Sequence, residues 1–459
     1  MLEFIIQLIT SPAILLGLVA LIGLLAQKKG LQDTIKGTFK TILGILILSA
    51  GAGIISSHID PFSKMFKHAF NLTGVVPIDE AVIGALTDSI PEIARNGALI
   101  LAFGFLVNVL IARISPFKYI FLTGHMLWIM SGALAWAFYD LGYSSTQAVL
   151  WGSLIQGVTL VLFPALAQPI MRKVTGNNEI AYGHLTTSGV VLSAYIGKIF
   201  GNKAVDAEKT KMPKGLEFFK DTAISVSTVM LVLYLVTTIA AGPDYVKTLS
   251  NEQNWLVFSI LEAFGFAAGV LVLLQGVRMF LGEIIPAFRG IAIKLVPGSK
   301  PALDVPVIFG FAPTALMIGF VCSIIGMVVG MFVSNVFGTV IPLPSIIGGF
   351  FTGGAAGIFG NALGGRRGAI ISGFVYGLIM TIPVALFYPL FNLQEYGISG
   401  IAFLVPDGII VLSLIKLFTA FDIVPIVVIA LIAITLSYNM FKKKKNSNTH
   451  KTQANNLNQ

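Results

Sequence analysis

The chain has 459 residues, 56% hydrophobic and only 11% charged, with a formal net charge of +9. A soluble domain carries about 25% charged residues, so a water-soluble globule of this length is excluded, and long unbroken apolar runs in place of short alternating strands exclude a transmembrane barrel. The one cysteine, Cys322, sits inside an apolar run and leaves no intrachain disulfide, CxxC pair or zinc pattern.

Crossing a bilayer takes about 20 apolar residues. On that measure the chain reads as an all-α polytopic bundle of about eleven spans. In chain order they fall at roughly 12–26, 38–56, 97–112, 119–141, 147–170, 222–241, 255–275, 305–340, 345–364, 368–391 and 408–441. The first lacks a basic leader and is followed by Gln27-Lys28-Lys29, so it reads as a retained helix. Between the second and third lies a long loop, 57–96, in which 64–72 and 79–87 have the pattern of short interfacial helices. The eighth and eleventh exceed one crossing and read as tilted or broken. The ninth, rich in glycine from Gly348 to Gly360, reads as a span or a re-entrant hairpin.

Lysine and arginine collect in alternate loops: Lys28 to Lys40, Arg113 with Lys118, Arg172 with Lys173, six lysines from Lys198 to Lys220, Arg278 to Lys300, Arg366 with Arg367, and Lys442 to Lys445. The other loops are acidic or sparse, among them those with Asp79, Glu80, Asp140, Asp244, Glu395 and Asp407. The positive-inside rule then predicts an N-terminus outside, a C-terminus in the cytoplasm and a disordered basic tail over 442–459. The basic excess is a topology signal and implies no nucleic-acid partner.

Polar groups inside apolar zones are costly unless paired or wet, so they are the candidates for function. His125, in Thr123-Gly124-His125, lies early in the fourth span; its imidazole suits a polyhydroxylated ligand, or simply bonds a neighbouring carbonyl. Tyr182-Gly183-His184-Leu185-Thr186-Thr187-Ser188-Gly189 reads as a re-entrant segment with small hydroxyls facing a cavity, or as a turn entering an interfacial helix. Asp304, between Pro301 and Pro306, is an acceptor for ligand hydroxyls or a helix cap. Arg278 and Glu283 read as a structural ion pair, Arg366-Arg367 as a topology signal, and Asn335 and Asn361 as caps of broken helices. Asp79 and Glu80 lie in the outer loop, where solvation alone accounts for them. No Walker A loop, nucleophile triad or HExxH occurs, and the five histidines show no metal-ligand spacing. A faint internal echo relates Arg113-Ile114-Ser115-Pro116 to Lys294-Leu295-Val296-Pro297, as in transporters built from repeats.

Several short motifs share an order and spacing. They are Lys36-Gly37-Thr38, Gly51-Ala52-Gly53, Leu122-Thr123-Gly124-His125, Gly183-His184, Gln275-Gly276-Val277-Arg278-Met279-Phe280 with Glu283, Phe311-Ala312-Pro313, and Gly357-Ile358-Phe359 with Asn361 and Gly364-Gly365. In these the chain resembles the ascorbate-type IIC permeases of the phosphoenolpyruvate-dependent sugar phosphotransferase system, over residues 1 to about 440. The resemblance implies a transmembrane domain over 1–441 with interleaved core and dimerisation parts, a homodimer of eleven-helix protomers in the bacterial plasma membrane, and elevator-like movement of the core. It also implies partners: a cytosolic IIB protein that phosphorylates the substrate from a phosphocysteine, and IIA that recharges it. No cofactor or metal is implied. Substrate contacts would lie at His125 through Ile129, at His184 and Leu185, at Asp304, and at Asp79 and Glu80. Ile129 and Leu185 stand where the best-known member of the family has amides, with Thr186 and Thr187 nearest as replacements. Ascorbate is thus the leading substrate and a related sugar or polyol the alternative. Cys322 has no phosphate-cradling loop around it, so no phosphorylation site is expected within the chain. An ion-coupled secondary transporter using Asp304, or a passive channel, are the rival classes that the residues alone leave open.

Overall fold

The computed structural model describes residues 11–71, 74–209, 222–250, 253–294, 296–419 and 423–435. The proposed tail 442–459, the last stretch of the eleventh span, His450 and the lysines from Lys211 to Lys220 lie outside them. The described chain is all-α in character, with only short strands.

One group of helices comprises α1 (Pro12–Ala26), α2 (Leu31–Ala69), α8 (Thr222–Ala241), α9 (Pro243–Leu249) and α10 (Trp255–Lys294). α2 has 39 residues, a length of about 58 Å at 1.5 Å per residue, against a hydrocarbon core of about 30 Å. Residues 64–69, expected in a separate interfacial helix, are its last turns. Pro61 costs α2 one ladder bond. Tyr234 of α8 steadies the turn beside it by donating to the His58 carbonyl, and the His58 ring lies 2.7 Å from Glu262 of α10. Small residues let α2 and α10 touch backbone to backbone. A Cβ on Gly51 would lie 2.3 Å from the Leu273 nitrogen, and one on Gly276 the same 2.3 Å from that of Leu48. Glu283 pairs with Lys40 of α2 at 3.2 Å and not with Arg278 as expected, since side chains five apart do not share a helix face.

A second group holds α3 (Asp79–Ser89), α4 (Pro91–Ile114), α5 (Gly124–Asp140) and α6 (Ser145–Thr175). α6 opens on a capping box between Ser144 and Gln147 and closes at Gly176, whose φ is 72°. On α4 the large residues Leu99, Phe103, Leu106, Leu110 and Ile114 form an exposed stripe at spacings of three and four, a lipid-facing pattern.

The third group is α7 (Thr187–Phe200), α11 (Pro313–Val336) and α12 (Gly354–Ile379), the last led in by a π-helical turn at Gly349–Gly353. α12 doubles back at Gly365 (φ 64°, ψ −162°), a conformation that only glycine adopts freely. Its two arms press together so closely that a Cβ on Gly360 would meet the Gly368 carbonyl at 2.5 Å. The expected ninth and tenth spans are thus the arms of one glycine-lined hairpin. Asn361 caps no helix end; it holds the 206–207 turn through Asp206 and the Ala207 amide. Beyond the hairpin come α13 (Ile382–Phe391), α14 (Pro406–Thr419) and α15 (Val424–Thr435).

Among the described residues six helices are long and apolar enough to cross a membrane, or up to seven if the pair Val226–Ala241 and Pro243–Leu249, bent by 113°, counts as one. The chain is therefore multi-pass; this count takes Ile346–Phe391 as one, and the first expected span is among the shorter apolar helices. The expected span 119–141 begins as a strand, and 305–340 begins with a 3-10 turn at Val305–Phe311.

Five short strands complete the fold: β1 (Val76–Pro77), β2 (Tyr119–Phe121), β3 (Ala181–Tyr182), β4 (Lys300–Leu303) and β5 (Ile401–Ala402). β1 pairs in parallel with β5, and β2, β4 and β3 form a parallel sheet in that order. The echoing segments before Pro116 and Pro297 lead into β2 and β4, which lie side by side with Tyr119 opposite Lys300.

Candidate functional site

Parallel strands in register finish at the same edge, and here the three ends deliver the polar residues of the site. Phe121 pairs with Ala302 and Tyr182 with Leu303. Each strand then breaks: β2 into Thr123-Gly124-His125, β3 into Gly183-His184, β4 into Asp304. The pairing continues past the strands through Leu122 N–H to the Ala302 carbonyl (2.9 Å) and Gly183 N–H to the Leu303 carbonyl (2.8 Å). Position 183 admits no side chain, because a Cβ there would lie 2.6 Å from the Ala302 carbonyl. Thr123 ties the first break to the second by donating its hydroxyl to the Gly183 carbonyl at 2.5 Å.

His125, His184 and Asp304 converge. His125 Nδ1 lies 3.8 Å from one carboxylate oxygen of Asp304, and His184 Nε2 lies 4.0 Å from the other. The two imidazole centroids are 6.0 Å apart at 62°. These separations are too long for direct hydrogen bonds, so each group retains bonding capacity toward a shared space. His184 is oriented from behind: its Nδ1 lies 2.9 Å from the Thr186 hydroxyl, which in turn lies 3.1 Å from that of Tyr182. Nε2 is thereby aimed at Asp304. Asp304 caps the 3-10 turn, accepting from Val305 N–H at 2.7 Å, and keeps its other oxygen for the space in front. His184 is buried, while His125 and Asp304 are partly exposed, so the space opens on the His125 side. α5 begins here with no side chain capping its first turn, since Thr123 is turned away to Gly183. One donor atom from each of the three residues lies within 4.8 Å of the others, a spacing that would also admit a metal ion.

The chain matches the family of PTS system sugar-specific permease components (EIIC-GAT) over residues 7–408. It belongs to that family. A similar protein is the ascorbate-specific PTS system EIIC component of Mycoplasma pneumoniae, 28% identical over 427 residues, which cover 82% of this chain and 64% of that protein. The chain thus spans less than two thirds of its relative's length.

The other expected contacts in this permease component lie differently. Ile129 and Leu185 are buried in one apolar core with Phe121, Ala302 and Val405 and bring no polar group to the space. Thr187 is also buried, and its hydroxyl is spent on the His184 carbonyl at 2.7 Å. Glu80 is exposed. Asp79 is no solvated loop residue: it is 2% exposed and accepts from the backbone N–H groups of Leu404 (3.0 Å) and Val405 (3.2 Å) ahead of α14.

Sequence reasoning missed Asp407, which it placed among the sparse outer loops. The residue is fully buried. Its carboxylate accepts from Thr187 N–H and Ser188 N–H, both at 2.8 Å, and from the Ser188 hydroxyl. Pro406-Asp407-Gly408 at the head of an apolar run was the available signal, since a carboxylate at such a place must find donors.

Proposed function

We propose that this chain is the translocating subunit of a phosphotransferase system that takes up ascorbate or a related sugar acid and passes it to a cytosolic IIB protein for phosphorylation. The observation that carries this reading is the convergence of His125, His184 and Asp304 beside an uncapped helix start. Imidazole can donate and accept while a carboxylate accepts, which suits a ring bearing several hydroxyls. The free N–H groups at the start of α5, with the positive end of its dipole, suit an oxygen carrying negative charge. The similarity to an ascorbate-specific relative supports the same substrate.

Transport in this reading is vectorial. The substrate is held by the two histidines and the aspartate, Ile129, Leu185 and Thr187 shape the wall behind them, and Asp79 supports the fold from the outer side. Release inward is followed by phosphoryl transfer from the phosphocysteine of IIB, which IIA recharges. The charged ester cannot return through an apolar barrier. We further infer a homodimer with its N-terminus outside. The bundle of α1, α2, α8 and α10 is the candidate dimerising part, and the helices around the sheet are the moving core.

Uptake of a radiolabelled panel of sugars, sugar acids and polyols, measured with the cognate IIB and IIA present and absent, tests the proposal. Accumulation of phosphorylated ascorbate, or of a related acid, only when IIB is present is expected. Uptake that persists without IIB and collapses with an uncoupler would overturn it in favour of ion coupling.

A further inference from the structure

We propose that Asp407 is a positioning residue for the substrate cradle and that Asp79 holds Asp407 in place, so that two buried carboxylates in series set the position of His184. This rests on the reading of His184 as a substrate contact.

The chain of contacts is continuous. Asp79, at the start of α3, accepts from the backbone of Leu404 at 3.0 Å and of Val405 at 3.2 Å. Those residues lead directly into α14, whose second residue is Asp407. Asp407 then accepts from the first two N–H groups of α7, Thr187 and Ser188, at 2.8 Å each, and from the Ser188 hydroxyl. Its own N–H donates to the Leu185 carbonyl at 3.1 Å. The segment 185–188 is thus fastened to the head of α14 from both sides, and His184 is the residue just before it. The starts of α7 and α14 are in contact, since a Cβ on Gly189 would reach Pro406 at 3.2 Å.

Energetics favour a positional role. Both carboxylates are at most 2% exposed, one at 2% and one at 0%. A buried carboxylate is retained at a cost unless it is matched by donors, and these two are matched by backbone N–H groups at or just before helix starts. The hydrogen bonds of both carboxylates go to backbone N–H groups and the Ser188 hydroxyl, on the segments that lead into the site. What they fix is where α7 begins, and with it the direction from which Thr186 and His184 enter the site.

The full chain in detergent or nanodiscs allows a direct test, using L-ascorbate as the probe and hydrogen–deuterium exchange as a readout independent of it. In Asp407→Asn an amide replaces a group that must accept from two N–H groups at once. Exchange at Thr187 and Ser188 is expected to rise at least tenfold while α2 and α10 stay at wild-type protection, and ascorbate affinity to fall at least tenfold. Ser188→Ala removes one bond of the set and is expected to do the same more mildly, by several-fold; it carries the test if Asp407→Asn does not fold. Asp79→Asn is expected to loosen Leu404 and Val405 and also Thr187 and Ser188, and the double variant to bind no worse than Asp407→Asn alone. Gly53→Ala, at a position with open space around it, serves as the unchanged control. Wild-type exchange and affinity in Asp407→Asn would overturn the proposal, and an effect of Asp79→Asn confined to 404–405 would overturn the series. Failure of the wild-type protein to bind ascorbate would instead sink the substrate reading, with the exchange result still deciding the relay.

Discussion

His125 is the most exposed of the three converging side chains and the one nearest the opening of the site. A hydrogen bond to a charged group contributes about 1.5–3 kcal/mol, so His125→Ala is expected to weaken ascorbate binding by roughly 10- to 150-fold. Thermal stability should change little, because the side chain is partly exposed. Calorimetric titration with a parallel melting curve measures both, and uptake at the wild-type level by this variant would remove His125 from the cradle. At this scale the sequence was partly legible. Histidines and a carboxylate inside apolar runs stand out, and His125, His184 and Asp304 were found that way. Asp407 did not stand out, because an acid at the head of an apolar run looks the same whether it caps its own helix or another one. Nor could spacing say that Ile129 and Leu185 are buried in the apolar core, since a helix face is legible only when one side is polar, and α5 is apolar nearly all round.

Long helices were the most legible elements, because an apolar run of bilayer length needs no partner to be recognised. Short elements were not. Strands of two to four residues show no alternation to detect, and the parallel sheet that assembles the site joins segments far apart in the chain. The glycine signal was legible as close approach, but its two uses could be separated only in three dimensions: a hairpin turn at Gly365 and helix contact at Gly51 and Gly276. Contact makes a sharp expectation. Gly276→Ala places a methyl 2.3 Å from the Leu48 nitrogen, and overpacking of this kind costs about 1–3 kcal/mol. The variant is expected to melt several degrees lower in detergent while the same change at Gly53, which has open space around it, leaves the melting temperature within about a degree. Equal melting of the two would show that α2 and α10 do not meet as described.

For the whole molecule, orientation rests on charge alone and is open to direct measurement. Cys322 is the one native cysteine, so its replacement by alanine yields a clean background for labelling. In that background Arg366→Cys, at the tip of the glycine hairpin, is expected to react with an impermeant maleimide only after the cells are permeabilised. Asp244→Cys, on the bent pair after α8, is expected to react in intact cells. Reversed reactivities would invert the proposed topology and with it the side from which IIB approaches.

The parallel sheet also dictates when a pocket can first exist. Its middle strand, β4, is the last of the three to be synthesised, and within the sheet β2 and β3 pair with it and not with each other. A nascent chain halted before Lys300 holds both imidazoles on unpaired ribbons with no anion between them, and the brace from Asp407 arrives later still. The cluster of two imidazoles and one carboxylate is therefore completed only once Asp304 has followed both histidines out of the ribosome.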